Sequence, residues 1–343
     1  MSQYKISVII PTYNSGDFLT GLLDSLRSQT IGFDNIEVIF VDDKSDDEKT
    51  LELLEDFNSY DNVKVIYKDS NSGYPGEGRN IGVREASGEF VIFTDHDDSY
   101  NPDAFERMYS KIRGDMLITN YYKEYKDRKV AESTVFNGEN IAIERLDEDL
   151  RLFQIGPTIW TKLFRRNFLI ENDIWFLEGM LAEDLELYIH SLLKADGITY
   201  LDDFYSYNYK IRDEKEDKST IHLRNKEILS KMIKGYYQTS KLIEDDYYYG
   251  LIFKRHFVYW ITSLINSEIS DKDKMDLLKK INPLLKRQLA IYPDFSERIY
   301  APLADPLLKD DYNQAIKQLN SIKKSRKRKD KIKKVLSLIN LRK

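Results

Sequence analysis

Residues 6–45, ISVIIPTYNSGDFLTGLLDSLRSQTIGFDNIEVIFVDDKS, hold one complete strand-helix-strand pattern. Ile6 to Ile10 and Ile36 to Val41 are short runs rich in β-branched residues, and between them Leu19, Leu22, Leu23 and Leu26 recur at helical spacing. A helix laid over a parallel sheet must bury such a stripe, so these leucines are core. The alternation continues outward. Further strands are predicted at Val63 to Tyr67, Phe90 to Phe93 and Met116 to Thr119, with Leu51, Leu54 and Phe57 marking a helix after the second strand. Repeated units of this kind define an α/β, Rossmann-like, mostly parallel sheet.

In an open sheet of this class, ligands bind beyond the carboxyl ends of the strands. Four of those ends are polar: Pro11-Thr12-Tyr13-Asn14, Asp42-Asp43-Lys44-Ser45, Asn71-Ser72-Gly73 and Asp95-His96-Asp97-Asp98. Asp95 and Asp97, spaced i and i+2 after a buried strand, can offer oxygen ligands to one hard cation, Mn²⁺ or Mg²⁺. Three acids crowded there are costly without a cation. Asp98 has a second reading, as the cap of a helix starting near Pro102. Gly73, Gly76, Gly78 and Gly82 lack the spacing of a dinucleotide-binding turn and follow the wrong strand for one. They are read as a flexible loop that approaches a donor closely.

Taken together, Ser7-Val8-Ile9-Ile10-Pro11-Thr12-Tyr13-Asn14, Val41-Asp42-Asp43-Lys44-Ser45, Arg79-Asn80-Ile81-Gly82, Asp95-His96-Asp97-Asp98 and Glu183-Asp184 carry a resemblance. In this order and spacing, over residues 5 to about 210, the sequence resembles family 2 glycosyltransferases of the GT-A fold. The resemblance implies an inverting, metal-dependent hexosyl- or N-acetylhexosaminyl-transferase. It would move a sugar from a UDP-sugar to a hydroxyl during synthesis of a cell-surface glycopolymer: teichoic acid, capsule or exopolysaccharide. The acceptor would be a polysaccharide, a polyol phosphate or a lipid-linked chain.

Carried over position by position, the resemblance puts Pro11, Thr12 and Tyr13 around the base and lets Asp43 accept a hydrogen bond from the uracil imide. Asn71, Arg79, Asp95 and His96 complete the nucleotide-sugar site, Arg79 near the diphosphate or the groups that hold it. Asp97, with Asp95, takes the metal. Inverting transfer needs a base for the acceptor proton, and Asp184 fills that role, with Glu183 on the acceptor side to position or brace it. A helix start would favour the ionised form of Asp184. Two readings remain beside these: Asp184 as a plain helix cap, and Arg79 as a surface residue of a helix starting at Gly78.

The chain of 343 residues is 41% apolar and 32% charged, and no apolar run is long enough to span a bilayer. The absence of cysteine excludes disulfides and thiolate chemistry. The first strand starts close to Met1, so a cytoplasmic protein is expected, peripheral at the inner membrane face if the tail binds lipid. The net charge of −6 hides an asymmetry: Lys323 to Lys343 holds eleven Lys and Arg against the single acid Asp330. With Val335, Leu336, Leu338, Ile339 and Leu341, this tail suits a helix lying on an anionic leaflet, or else a solvated or self-associating helix. Nucleic acid is not an expected partner, because the acidic body repels phosphates.

The expected organisation is a GT-A catalytic domain over 1–212, a helical region over 213–322 and a basic amphipathic tail over 323–343. Arg212 to Ser219 reads as a linker or lid, and residues 121–160 as irregular. Stripes such as Ile228, Met232, Ile233 and Tyr236 suit a helical bundle or a homo-oligomer contact. His222 is a candidate for closing over the diphosphate or a plain surface residue; His190 and His256 are structural. Two rival functions stand beside the transferase: a nucleotidyltransferase, which has no role for Asp184, and a non-catalytic sugar-nucleotide scaffold.

Overall fold

The computed structural model describes residues 3–211, 224–293 and 301–340, except the side chains of 327 and 329–340. The chain divides into two compact units, Met1–Asp217 and Lys218–Lys343.

The first unit opens with β1 (Ile6–Thr12), α1 (Phe18–Arg27), β2 (Ile36–Asp42), α2 (Glu48–Phe57), β3 (Val63–Tyr67), α3 (Pro75–Glu85) and β4 (Phe90–Phe93). After β5 (Ser99–Tyr100) and α4 (Ala104–Lys111) come β6 (Met116–Glu124), β7 (Lys129–Ala131) and β8 (Ile141–Ile143). It ends with β9 (Lys162–Arg165), α5 (Arg166–Glu171), α6 (Glu183–Lys194) and β10 (Ile198–Lys210). The sheet order is β3-β2-β1-β4-β9-β6-β10-β5, with β7 on β6 and β8 on β10. The four opening strands are parallel, as is the β6-β10 pair, whereas β9 runs antiparallel to both its neighbours. Leu163 lies opposite Ile92, so the start of β9 falls at the carboxyl end of β4.

The leucine stripe of α1 is buried entirely, over Ile6, Val8 and Ile10. Asp47 caps α2 by accepting from the Thr50 N–H at 2.8 Å. Residues 121–160, expected to be irregular, contain the end of β6, the edge strands β7 and β8, and short 3-10 turns. The two edge strands have three residues each and neither is fully buried, so they leave no readable period. Tyr200 to Tyr209 lies within the single strand β10, whose pairing with β6 shifts register between Leu201 and Tyr207.

The glycines of residues 76–82 call for a correction. They sit in α3, which starts at Pro75, and they let that helix lie against its neighbours rather than let a loop approach a donor. A Cβ on Gly82 would come within 2.3 Å of Ile9 Cγ2, and one on Gly76 within 2.5 Å of the Leu177 carbonyl. Gly73, at φ +73°, is the member of the series that does lie in a loop.

The second unit is helical: α7 (Lys226–Lys241), α8 (Asp246–Asn266), α9 (Asp271–Ile291), α10 (Ala301–Leu308) and α11 (Tyr312–Asn340). Asn225, Asp245 and Ser270 cap the first three by accepting backbone N–H bonds. Tyr236, Phe253, Phe257 and Trp260 form its aromatic centre, and the Trp260 indole donates to the Leu229 carbonyl at 3.1 Å. His256 is structural here, pushed down to about 4 by burial and by Arg255. Helix α11 runs on past residue 323 into the basic segment, most of whose side chains lie outside the described residues. Arg212 to Ser219 and His222 also lie outside them. Among the described residues no helix is long and apolar enough to cross a membrane.

Candidate active site

Two strand ends define one side of the site. The Asp43 N–H donates to the Thr12 carbonyl at 2.8 Å, tying the ends of β1 and β2 together. Just beyond each strand, Asn14 (φ 46°) and Lys44 (φ 62°) adopt the left-handed conformation that turns the chain away. Tyr13 is exposed, Pro11 is half-buried against α3 at Gly78, and Thr12 is buried with no hydrogen-bond partner for its hydroxyl among the described residues.

Asp43 is already engaged. It accepts from the Ser72 N–H at 2.9 Å, the Ser72 hydroxyl at 2.9 Å and the Gly73 N–H at 3.0 Å, and it pairs with Lys68, which also holds Glu77 at 2.8 Å. Burial pushes this carboxyl up, but Lys68 and the loop donors outweigh it and hold Asp43 below its ordinary range. Asn71, one residue before this loop contact, is exposed.

The acidic turn after β4 splits by environment. Asp95 and Asp97 are half-buried, and the His96 ring lies 6.3 Å from Phe18. Asp98 is fully buried and does not cap a helix: it accepts from the Lys210 N–H at 2.7 Å and the Tyr207 hydroxyl at 2.9 Å, anchoring β10 under the turn. Burial, then the Asp97 and Asp95 charges, push it up to about 8. Asp95 and Asp97 therefore present two hard oxygen donors on one turn, while no group of three or more His, Asp or Glu among the described residues forms a full cage. That set fits a hard divalent ion completing its shell with phosphate oxygens and water.

Arg79 joins this turn to the Glu183-Asp184 pair. It is not a surface residue, its side chain being 4% exposed. One terminal nitrogen meets Asp95 at 3.0 Å, and the other meets Asp184 at 2.9 Å and Glu183 at 3.5 Å. The Phe176 ring lies 5.1 Å from the guanidinium carbon, while Nε has no partner among the described residues. Asn80, next along α3, accepts from the Phe176 N–H and donates to the Phe176 carbonyl and Glu178, all at 2.9 Å, which fixes the segment leading to α6.

That segment enters α6 through Ala182 in the left-handed conformation (φ 67°), a strained entry for a residue with a Cβ. Ala182 holds the cap position, so Asp184 is not the cap. Its side chain remains 30% exposed, open enough for an incoming group. Burial pushes Asp184 up despite the helix start, with Asp95 adding to the rise and Arg79 and Lys162 opposing it. Glu183 goes further: burial, then the Asp184 charge, push it up to about 8 against the pull of Arg79.

Sequence reading missed Lys162, Lys68 and the Asn80 contacts. The signal for Lys162 was a lone charge inside the apolar run Trp160 to Phe164.

A mixed sheet with parallel opening strands and an acidic turn after a central strand, joined by a buried arginine to a second acidic pair, is the layout of a glycosyltransferase site. Residues 7–170 match the model of Glycosyl transferase family 2, and the first unit carries a domain of that family in the GT-A fold. The chain is 36% identical over 223 residues to a poly(ribitol-phosphate) beta-glucosyltransferase of Bacillus spizizenii, covering 64% of this chain and 34% of that one. It is 34% identical over the same length to the poly(ribitol-phosphate) beta-N-acetylglucosaminyltransferase TarS of Staphylococcus aureus, covering 64% and 38%. The match thus spans about a third of the length of these curated relatives. A crystal structure of S. aureus TarS 1-349 in complex with UDP superposes with a TM-score of 0.67 at 25% identity, covering 94% of this chain and 91% of that one.

Proposed function

We infer that the first unit transfers a hexose or N-acetylhexosamine from a UDP-sugar to a hydroxyl of a polyol-phosphate polymer, with inversion at the anomeric carbon. The observation that carries this reading is the Arg79 bridge, which sets the acidic turn beside Asp184 with that carboxylate still open to solvent. The UDP held by the TarS structure and the poly(ribitol-phosphate) acceptors named for the relatives support the donor and acceptor classes.

Asp184 takes the proton of the acceptor hydroxyl as that oxygen bonds the anomeric carbon. The carbon-oxygen bond to UDP breaks on the opposite face and its electron pair leaves with the diphosphate. Arg79 holds the Asp184 carboxylate in place and offsets the repulsion between the Asp184 and Asp95 charges. Glu183, protonated near neutrality, adds no further charge beside the base. Asp95 and Asp97 would hold Mn²⁺ or Mg²⁺, which supplies positive charge for the departing diphosphate when bound. Uracil recognition by Asp43 requires its imide to displace one of the Ser72 or Gly73 donors. A nucleotidyltransferase leaves Asp184 and its brace without a task.

The test is UDP release from UDP-glucose and UDP-N-acetylglucosamine, with and without ribitol-phosphate oligomers, in Mn²⁺ and in EDTA, with the product anomer read by NMR. Acceptor-dependent release that EDTA abolishes, giving a β-linked product from the α-linked donor, is expected. A retained configuration excludes the single displacement at Asp184, and undiminished transfer in EDTA excludes the metal.

A further inference from the structure

Lys162, at the start of β9, carries an ammonium fully removed from solvent. Among the described residues no carboxylate lies within ion-pairing distance of it. Instead it donates to the carbonyls of Gly156 at 2.9 Å and Thr158 at 2.6 Å, and it sits 4.4 Å from the centre of the Tyr188 ring. The position of that ring matters, because Tyr188 lies on α6 one helical turn beyond Asp184, on the same face. The Tyr188 hydroxyl in turn donates to the Leu152 carbonyl at 2.8 Å. Lys162 and Tyr188 therefore fasten residues 152–158 to the opening turns of the helix that carries Asp184.

A buried ammonium is an expensive way to fill this space. Two carbonyls and an aromatic face return only part of its lost hydration, and a methionine of similar length would pack there without a desolvation penalty. The charge itself therefore needs an explanation. Arg79 touches three carboxyl groups, Asp95, Glu183 and Asp184, and with Glu183 protonated one cation still serves two charges, those of Asp95 and Asp184. Lys162, seated on Tyr188 one helical turn from Asp184, is the second cation whose field reaches that carboxylate.

We propose that Lys162 is a positioning residue for the Asp184 base, fixing the 156–158 loop beside α6 and supplying a second positive charge that holds the carboxylate ionised. This rests on the reading of Asp184 as base. Asp184 feels Arg79 from α3, Asp95 from the turn after β4, Glu183 from its own helix and Lys162 from β9. Burial and Asp95 push the Asp184 carboxyl up, and the two cations hold it down. Asp184 in turn supports the ammonium, which burial pushes down to about 7.

The sign follows: loss of the Lys162 charge raises the proton affinity of Asp184, so the ionised base appears only at higher pH. Lys162→Gln keeps a donor for the two carbonyls and removes the charge, Lys162→Arg keeps the charge, and Lys162→Met is a second uncharged variant should Lys162→Gln not fold. Protein labelled with carboxyl-¹³C aspartate is titrated by NMR in EDTA without donor, with Asp184→Asn identifying the resonance. In the uncharged variants the Asp184 titration and the acid limb of transfer should rise together by about one pH unit, a roughly tenfold loss of transfer below the limb. Lys162→Arg should stay near the parent. An Asp184 titration unmoved in both uncharged variants overturns the proposal even where Asp184→Asn is inactive. Full transfer by Asp184→Asn removes the base reading instead, and leaves the titration result standing as electrostatics alone.

Discussion

Asp184→Asn separates chemistry from folding more cleanly than any other substitution in this site. The asparagine carbonyl can still accept from Arg79, 2.9 Å away, and the guanidinium keeps the Asp95 carboxylate at 3.0 Å and the Glu183 carboxyl at 3.5 Å as partners. What is lost is the difference between a charged and a neutral acceptor, about 1 kcal/mol. The loss is offset because burial and Asp95 both disfavour the Asp184 charge, and because Glu183 no longer faces a neighbouring carboxylate. Stability should therefore stay within about 1 kcal/mol of the parent, a melting shift of no more than about 2–4 °C for a unit of this size. Transfer should fall about 100- to 10,000-fold, the usual contribution of a positioned base. That corresponds to about 3–5 kcal/mol of barrier. Calorimetric melting, UDP binding by isothermal titration and UDP release in the presence of acceptor give the three readings. The reasoning is refuted if UDP affinity falls as steeply as turnover, since Asp184 then belongs to the donor site, or if more than a tenth of the transfer rate survives.

Other perturbations test the surrounding structure. Glu183 and Asp98, both pushed up to about 8, keep protons in the folded chain that the unfolded chain has released, so their contribution to stability is complete below the ordinary carboxyl range and fades as pH rises toward 8. Melting in EDTA should fall from pH 5 to pH 8, and Glu183→Gln should flatten that slope; an unchanged slope contradicts a protonated Glu183. Gly82→Ala drives a methyl to 2.3 Å from Ile9 Cγ2 and should cost about 1–3 kcal/mol in a urea melt, with little loss read as evidence that α3 can lift from β1. Asp43→Asn sets an amide against the Ser72 and Gly73 N–H groups and should weaken UDP binding by at least about tenfold, or 1.4 kcal/mol; unchanged affinity places the base elsewhere. Truncation after Arg328 leaves the Lys323 contacts to Ser267 and Glu268 in place and should reduce sedimentation with anionic vesicles without slowing transfer to a soluble acceptor.

The strands and the polar edge were legible because each signal was local. A β-branched run ending in acids reports both a buried strand and the end at which ligands gather, and the positions of β1 to β4 follow directly. The partners of those acids were not legible. Arg79 and Asp184 lie 105 residues apart, and they meet because the Asn80 amide fixes the Phe176 to Glu178 segment against α3 while Gly76 lets that segment lie flush. No period or spacing encodes such a contact. Asp43 shows the same limit: its identity could be read, but not the fact that Ser72, Gly73 and Lys68 already occupy its acceptor positions.

The errors share a cause with the successes. Glycines 76, 78 and 82 read as a donor-approach loop because glycine permits any close contact, and only the neighbours show that the contacts are α3 against β1 and against the Phe176-Leu177 segment. Asp98 was offered as a cap because an acid before a helix commonly is one, yet the Tyr207 hydroxyl and Lys210 N–H draw it into the core. Lys162 is a single charge between Trp160 and Phe164, and nothing in that short run shows what surrounds it. In each case the residue type was read correctly and the environment decided its role. Two adjacent acids, Glu183 and Asp184, make the point most sharply: they share one helix turn and one arginine, but the first is 10% exposed and held protonated while the second is 30% exposed and braced by two cations. That difference, rather than the presence of an acidic pair, is what favours Asp184 over Glu183 in the proposed role of base.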